Sequence, residues 1–249
     1  MYIGIISAMK EEIQAVLEIL DLEKQQVKGM RTYYIGTLAG KKVVLVFSRW
    51  GKVASATTAT QLINDFEIDE ILFTGVAGAI HDEISIGDIL IGRALFQHDM
   101  NASPMVRKFE VPLLNKTYFE TDSDRREKLL VSGEKFLTEI GTIISEDTLK
   151  DFNISLPKII LADIASGDQF ISTQKQSETI RKGLPSVRCV EMEGAAVAQV
   201  CFEYKIPFSI IRTISDNANS NAHVDFPRFA NVVASKYALG ILSNYLSTV

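Results

Sequence analysis

Carboxylates recur in this chain just beyond apolar runs. Tyr2–Ser7 leads to Glu11 and Glu12, Arg188–Val190 leads to Glu191 and Glu193, and Pro207–Ile214 leads to Ser215 and Asp216. Acids so placed can trade protons with a substrate or steady a developing positive charge. Glu191 and Glu193 flank Met192, and the two-residue period of an extended chain puts both acids on one face. Two acids in an apolar stretch are costly if buried without partners, which favours a site over a solvated face. Plainer uses exist for the others. Glu11 and Glu12 suit the first turn of a helix, where acids complement the dipole, and Asp216 suits a turn after a strand. Thr74-Gly75-Val76-Ala77-Gly78 offers a backbone that a ligand could approach closely, though a packing turn would read the same.

The elements that must position these residues can be read from apolar spacing. A continuous apolar run predicts a buried strand at Tyr2–Ser7, and apolar-rich segments predict further strands at Glu70–Val76, Gly87–Phe96, Ile159–Ile164, Arg188–Glu191 and Pro207–Ile214. Thr32–Leu38 and Lys42–Ser48 read as a hairpin turning at Ala39-Gly40. Helical spacing predicts helices over Lys10–Leu20, Val53–Phe66, Asp122–Glu139, Gly194–Tyr204 and Phe226–Leu246. Strands alternating with helices imply one α/β domain over residues 1–249 with a mainly parallel or mixed sheet. In such sheets ligands bind beyond the carboxyl ends of strands, which is where the acids stand. The irregular stretch Asn101–Thr121, with Pro104 and Pro112, is long for a loop inside a compact domain, and such loops are often functional.

Composition narrows the partners. A net charge of −5 and the lack of a basic stripe argue against nucleic acid and fit a small neutral or zwitterionic ligand. No apolar stretch is long enough for a membrane span, and the start lacks the basic region and cleavage site of a signal peptide, so the cytoplasm is the expected compartment. Cys189 and Cys201 sit in apolar runs and read as buried free thiols. His81, His98 and His223 are too scattered to form a metal set, and no metal or organic cofactor is expected. Dinucleotide, phosphate-loop, serine-hydrolase and zinc-protease signatures are all missing from the sequence.

Five strings in order resemble the bacterial 5′-methylthioadenosine/S-adenosylhomocysteine nucleosidases. They are Gly4–Glu12, Thr74–Gly78, Ile164–Ile171, Val190–Ala195 and Arg212–Asp216. The resemblance implies a single-domain three-layer α/β/α fold of the nucleoside phosphorylase type with a mixed central sheet, a homodimer, and hydrolysis of an N-glycosidic bond to release adenine. It implies that Glu12 activates water and that Asp216, oriented by Ser215, protonates or hydrogen-bonds N7 of the base. It implies further that Glu193 holds the ribose hydroxyls with Met192 packed on the sugar, that Phe170 stacks on adenine, and that the Ile171 backbone reads its edge. Met9 and Phe226 would lie near the ribose and the 5′ group, with Val76, Ala77, Gly78 and Glu191 completing the binding wall. Ala102, Met105 and Pro112 would reach into the partner subunit's 5′ pocket, and the helix Val53–Phe66 would join that loop in the dimer contact.

The sequence also departs from the family's pattern. Val76 stands where a serine is common, Ala102 and Met105 stand where a valine and an aromatic are common, and the stretch between Gly141 and Pro157 is longer than usual. These departures keep the 5′ specificity open and with it a futalosine-type nucleosidase of menaquinone synthesis. A phosphate-dependent nucleoside phosphorylase is a second alternative, but a carboxylate at Glu12 repels phosphate where an arginine would bind it. A non-catalytic nucleoside-binding protein is a third, although binding alone does not require Glu12, Glu193 and Asp216 together.

Overall fold

The computed structural model describes residues 2–219 and 222–248. The chain opens with β1 (Tyr2–Ser7), a short α1 (Gln14–Ile19), β2 (Asp21–Lys28), β3 (Arg31–Leu38), β4 (Lys41–Phe47) and α2 (Lys52–Asp65). It continues through β5 (Ile68–Ala79), β6 (Ile89–Gln97), β7 (Phe119–Glu120), α3 (Ser123–Ile143) and α4 (Glu146–Asp151). It ends with β8 (Ile159–Ser166), α5 (Gln174–Gly183), β9 (Val187–Glu191), α6 (Gly194–Tyr204), β10 (Phe208–Asp216), α7 (Ala222–Phe229), a π-helical turn at Ala230–Ala234, and α8 (Ser235–Leu246).

The strands form one mixed sheet in the order β10-β6-β8-β9-β5-β1-β4-β3-β2, with β7 beside β6. Strand β10 also pairs with β5, so five strands close into a ring and the other four extend from it as a wing. Parallel pairing joins β5 to β1 and β10, so their carboxyl ends open on the same side. One core lies under α2 and α6, where Leu62, Ala195, Val197 and Cys201 pack on Ile71 and Phe73. A second lies under α1, α3 and α8, where Val16, Phe136, Tyr237 and Tyr245 pack on Leu72 and Ile91. Helices therefore cover both faces, as expected of three layers.

Local chemistry sets the element ends. The Ala39-Gly40 turn takes φ of 47° and 79°, the mirror-image turn that matches strand twist. The Asp122 carboxylate caps α3 by accepting from the Asp124 and Arg125 amides at 3.1 and 3.0 Å. Thr173 and Gln176 form a capping box on α5, a helix that apolar spacing alone does not reveal. The expected helix from Lys10 begins only at Gln14, because the Glu12 side chain folds back on the end of β1. The C-terminal helix starts at Ala222 rather than Phe226 and is broken by the π turn. Strand β2 was not expected: it is mostly exposed at the sheet edge, and Asp21-Leu22-Glu23-Lys24-Gln25-Gln26 carries no apolar alternation. Among the described residues no helix is long and apolar enough to cross a membrane.

Candidate active site

The carboxyl ends of β1, β5, β8, β9 and β10 surround a cavity of about 360 Å³. Its wall brings together Met9, Glu12, Val76, Ala77, Gly78, Phe170, Ile171, Glu191, Met192, Glu193, Ser215, Asp216 and Phe226. Those are all the site residues expected from sequence within one protomer. Ala102, Met105 and Pro112 lie outside it, on the loop between β6 and β7, and Met105 is 85% exposed. The wall also contains Trp50, Gln169 and His223, which were not expected. Trp50 follows the end of β4, so the strand-end rule could have found it. His223 stands in the first turn of a helix that starts at Ala222, earlier than its apolar spacing implies.

Glu12 is buried and held on four sides. Its Oε2 accepts from Ser7 Oγ at 2.6 Å and from the Ala8 and Met9 amides at 3.0 Å each. Its Oε1 accepts from the Val76 amide at 3.0 Å. A carboxylate has about four lone-pair sites, so Oε1 retains capacity for a water. Gly75 permits this approach: a Cβ there would sit 2.8 Å from Glu12 Oε1. Burial raises the Glu12 pKa above the usual carboxylate range, while the bond from Ser7 and the charge of Arg212 pull it back.

Asp216 is also buried. Strand β10 shifts register against β5 between Ile214 and Asp216, so Ile214 faces Ala77 and Asp216 faces Gly78. The carboxylate accepts from Ser215 Oγ at 2.8 Å and from the Ala218 amide at 2.8 Å. Burial nevertheless lifts its pKa, which favours a proton-holding acid.

Glu193 is the residue just before α6, and its Oε1 accepts from the Gly51 amide at 2.8 Å. Gly51 has φ of 92°, and a Cβ there would meet Asp168 Oδ1 at 2.9 Å, so only glycine fits. The neighbouring Lys52 amide donates to that same Asp168 oxygen at 2.7 Å, and Lys52 Nζ pairs with Asp99 at 2.6 Å. The loops after β4, β6 and β8 are thereby tied to the start of α2. Burial, then the charge of Glu191, push the Glu193 pKa up to about 8.

Glu191 reaches the cavity wall, but its carboxylate is already in use. Arg212 Nη2 donates to Oε2 at 2.7 Å, Ser166 Oγ donates to Oε1, and the Glu193 and Gly194 amides donate as well. Four donors thus hold this carboxylate in place at the cavity wall. The Arg212 guanidinium is itself buried, with its centre 4.2 Å from the centroid of the Phe73 ring. The two-residue alternation expected for Glu191 and Glu193 also stops short, because β9 ends at Glu191.

The raised acid at Glu193 has a consequence for stability. Its ordinary pKa is 4.5 and its folded value is about 8, so between those values the folded chain holds a proton that the unfolded chain has released. Stability therefore falls as pH rises through that window and levels off above it. Glu193→Gln removes this component. Thermal unfolding of the two proteins between about pH 5 and pH 8 should show a steeper decline for the wild type. Parallel curves would contradict the protonated reading of Glu193.

Among the described residues lining the cavity there is no lysine or arginine, and three of the lining carboxylates carry raised pKa values. The edge of the wall is aromatic: Phe226 meets Phe170 edge-on at 5.9 Å and Trp50 at 6.4 Å between ring centroids. Such a cavity suits a neutral planar ring carrying a hydroxylated sugar. Fold and site together define a member of the phosphorylase superfamily, whose family model matches residues 2–247.

A 5′-methylthioadenosine/S-adenosylhomocysteine nucleosidase of Listeria innocua is 35% identical over 243 residues, 97% of this chain and 97% of that protein. The chain belongs to the family of 5′-methylthioadenosine/S-adenosylhomocysteine nucleosidases. The structure of the Neisseria meningitidis nucleosidase in complex with methylthio-immucillin-A is similar with a TM-score of 0.88 at 28% identity, covering 100% of this chain and 99% of that one. A futalosine hydrolase of Helicobacter pylori is similar with a TM-score of 0.82 at 29% identity, covering 100% of this chain and 98% of that one.

Proposed function

We propose that this chain hydrolyses the C1′–N9 bond of 5′-methylthioadenosine and S-adenosylhomocysteine, releasing adenine and the 5′-thioribose. The observation that carries this reading is the meeting of Glu12, Glu193 and Asp216 in one cavity that lacks a lining cation among its described residues. Bond breaking leaves positive charge on the ribose and negative charge on the base. Asp216 gives its proton to N7, so adenine leaves neutral. Glu12 takes a proton from water, whose oxygen bonds to C1′. A base whose pKa is lifted toward the working pH serves this step well. Glu193 binds the ribose hydroxyls. Phe170 stacks on the purine, and Met9 and Phe226 meet the 5′ side.

The enzyme needs no metal or organic cofactor in this scheme. It works as a cytoplasmic, single-domain homodimer in methionine salvage, with Ala102, Met105 and Pro112 of each subunit closing the partner's 5′ pocket. The exposed side chains of Met105 and Val53, on the loop and helix expected to meet a second subunit, support that assembly. Phosphorolysis is disfavoured because phosphate would face carboxylates with no lining cation to neutralise it. Adenine release in phosphate-free buffer should proceed at the same rate as in phosphate, measured by chromatography. Turnover that appears only on adding phosphate would overturn the hydrolytic reading. The similarity to the futalosine hydrolase makes a panel of 5′ substituents the companion assay.

A further inference from the structure

We propose that Lys52 and Asp99 are positioning residues for sugar recognition: their ion pair sets the Gly51 amide against Glu193, and so lets Glu193 select substrates that carry ribose hydroxyls. This rests on the nucleosidase reading and gives a task to two residues that do not line the cavity.

Lys52 closes a circuit of bonds. Its Nζ donates to Asp99 Oδ1 at 2.6 Å, Asp99 Oδ2 accepts from the Asp168 amide at 2.9 Å, and Asp168 Oδ1 accepts from the Lys52 amide at 2.7 Å. One residue is thus held both at its backbone and at the tip of its side chain. The amide just before it, that of Gly51, donates to Glu193 Oε1 at 2.8 Å. Gly51 and Lys52 stand at the start of α2, where amides find no partner within the helix, and each serves a carboxylate instead. The ammonium also reaches α6, the helix that Glu193 precedes: it donates to Gln97 Oε1 at 3.1 Å, and Gln97 Nε2 donates to Gln199 Oε1 at 2.8 Å.

The pair has the strength for this task. Its side chains are only 17% and 16% exposed, so solvent screens it less than a surface pair. Burial alone would raise the Asp99 acid, but the bonds from Lys52 and the Asp168 amide hold it below the usual carboxylate range, and it stays charged. The Gly51 bond engages only Oε1 of Glu193, which leaves Oε2 for a ribose hydroxyl. The terminal torsion of a glutamate is soft, so a carboxyl group pinned at one oxygen keeps the other in place, and a released one turns.

The test compares kcat/KM for 5′-methylthioadenosine with kcat/KM for its 2′,3′-dideoxy analogue, which offers Glu193 no hydroxyl. The ratio of the two on one preparation does not depend on how much of the protein is folded, so a loss of stability alone leaves it unchanged. Lys52→Met and Asp99→Asn should each lower the ratio by about 5- to 20-fold, the scale of one hydrogen bond. Glu193→Ala sets the floor of the ratio, and adding Lys52→Met to it should lower the ratio no further, because the two residues act as one unit. Equal losses on both substrates in Lys52→Met and Asp99→Asn would reduce the pair to a structural tie and overturn the proposal. A fall in the Glu193→Ala background as large as in the wild type would overturn it as well, since the pair would then reach the sugar by another route. If the wild type releases adenine from neither substrate, the nucleosidase reading fails, and the assignment of Lys52 and Asp99 fails with it.

Discussion

Asp216→Asn should lower kcat for adenine release by about 10² to 10⁴-fold, the range typical of losing a general acid, with KM changed far less. The size of the effect follows from how little else changes. Asparagine has the shape of aspartate: its Oδ1 still accepts from the Ala218 amide, and its Nδ2 faces the Ser215 hydroxyl, which can turn to accept. The neutral amide has no acidic proton to deliver to N7, and the base must then leave as an anion. Because burial already keeps Asp216 protonated to a higher pH than usual, the variant adds no new buried charge, and its thermal stability should match the wild type. Kinetics with 5′-methylthioadenosine and a melting curve on the same preparation decide the matter. Turnover close to wild type would remove Asp216 from the acid role.

The second large effect concerns stability rather than chemistry. Arg212→Met should cost about 3 to 5 kcal/mol, because it strips the ion-pair partner from a carboxylate at 3% side-chain exposure. For a chain of 249 residues that corresponds to a fall in Tm of roughly 6 to 20 °C. The same change frees Glu191, which fixes the start of α6 and therefore Glu193. Activity should decline along with Tm. Adding Glu191→Gln should recover part of the lost stability, since the amide carries no charge and can still accept from Ser166 and the Gly194 amide. A double variant no more stable than Arg212→Met alone would show that the arginine acts through packing on Phe73 instead.

The sequence carried much of this arrangement in readable form. Buried strands such as Ile89–Gln97 and Phe208–Asp216 are rich in isoleucine, leucine and phenylalanine, and acids stand out against that background. What it concealed was partnership across distance. Arg212 lies 21 residues from Glu191 in the chain, and nothing local says that one neutralises the other. Gly51 and Glu193 are joined across 142 residues by a single amide. Strand β2 escaped notice because an edge strand with one solvated rim need not alternate. Trp50 escaped because an aromatic after a strand looks like surface until the cavity beside it is seen.

The π turn at Ala230–Ala234 divides the last helix into two segments with separate tasks. Before it, Phe226 and Pro227 face the ligand space; after it, Tyr237, Ile241 and Tyr245 are sealed in the interior. A widened turn inserts an extra residue with little added length, so it rotates one segment relative to the other. A helix wound uniformly would have to compromise between the direction that anchors its tail and the direction that aims its head. Here the anchor and the aim are decoupled, so substitutions near residue 226 can reshape the entrance without disturbing the grip of the segment beyond 235.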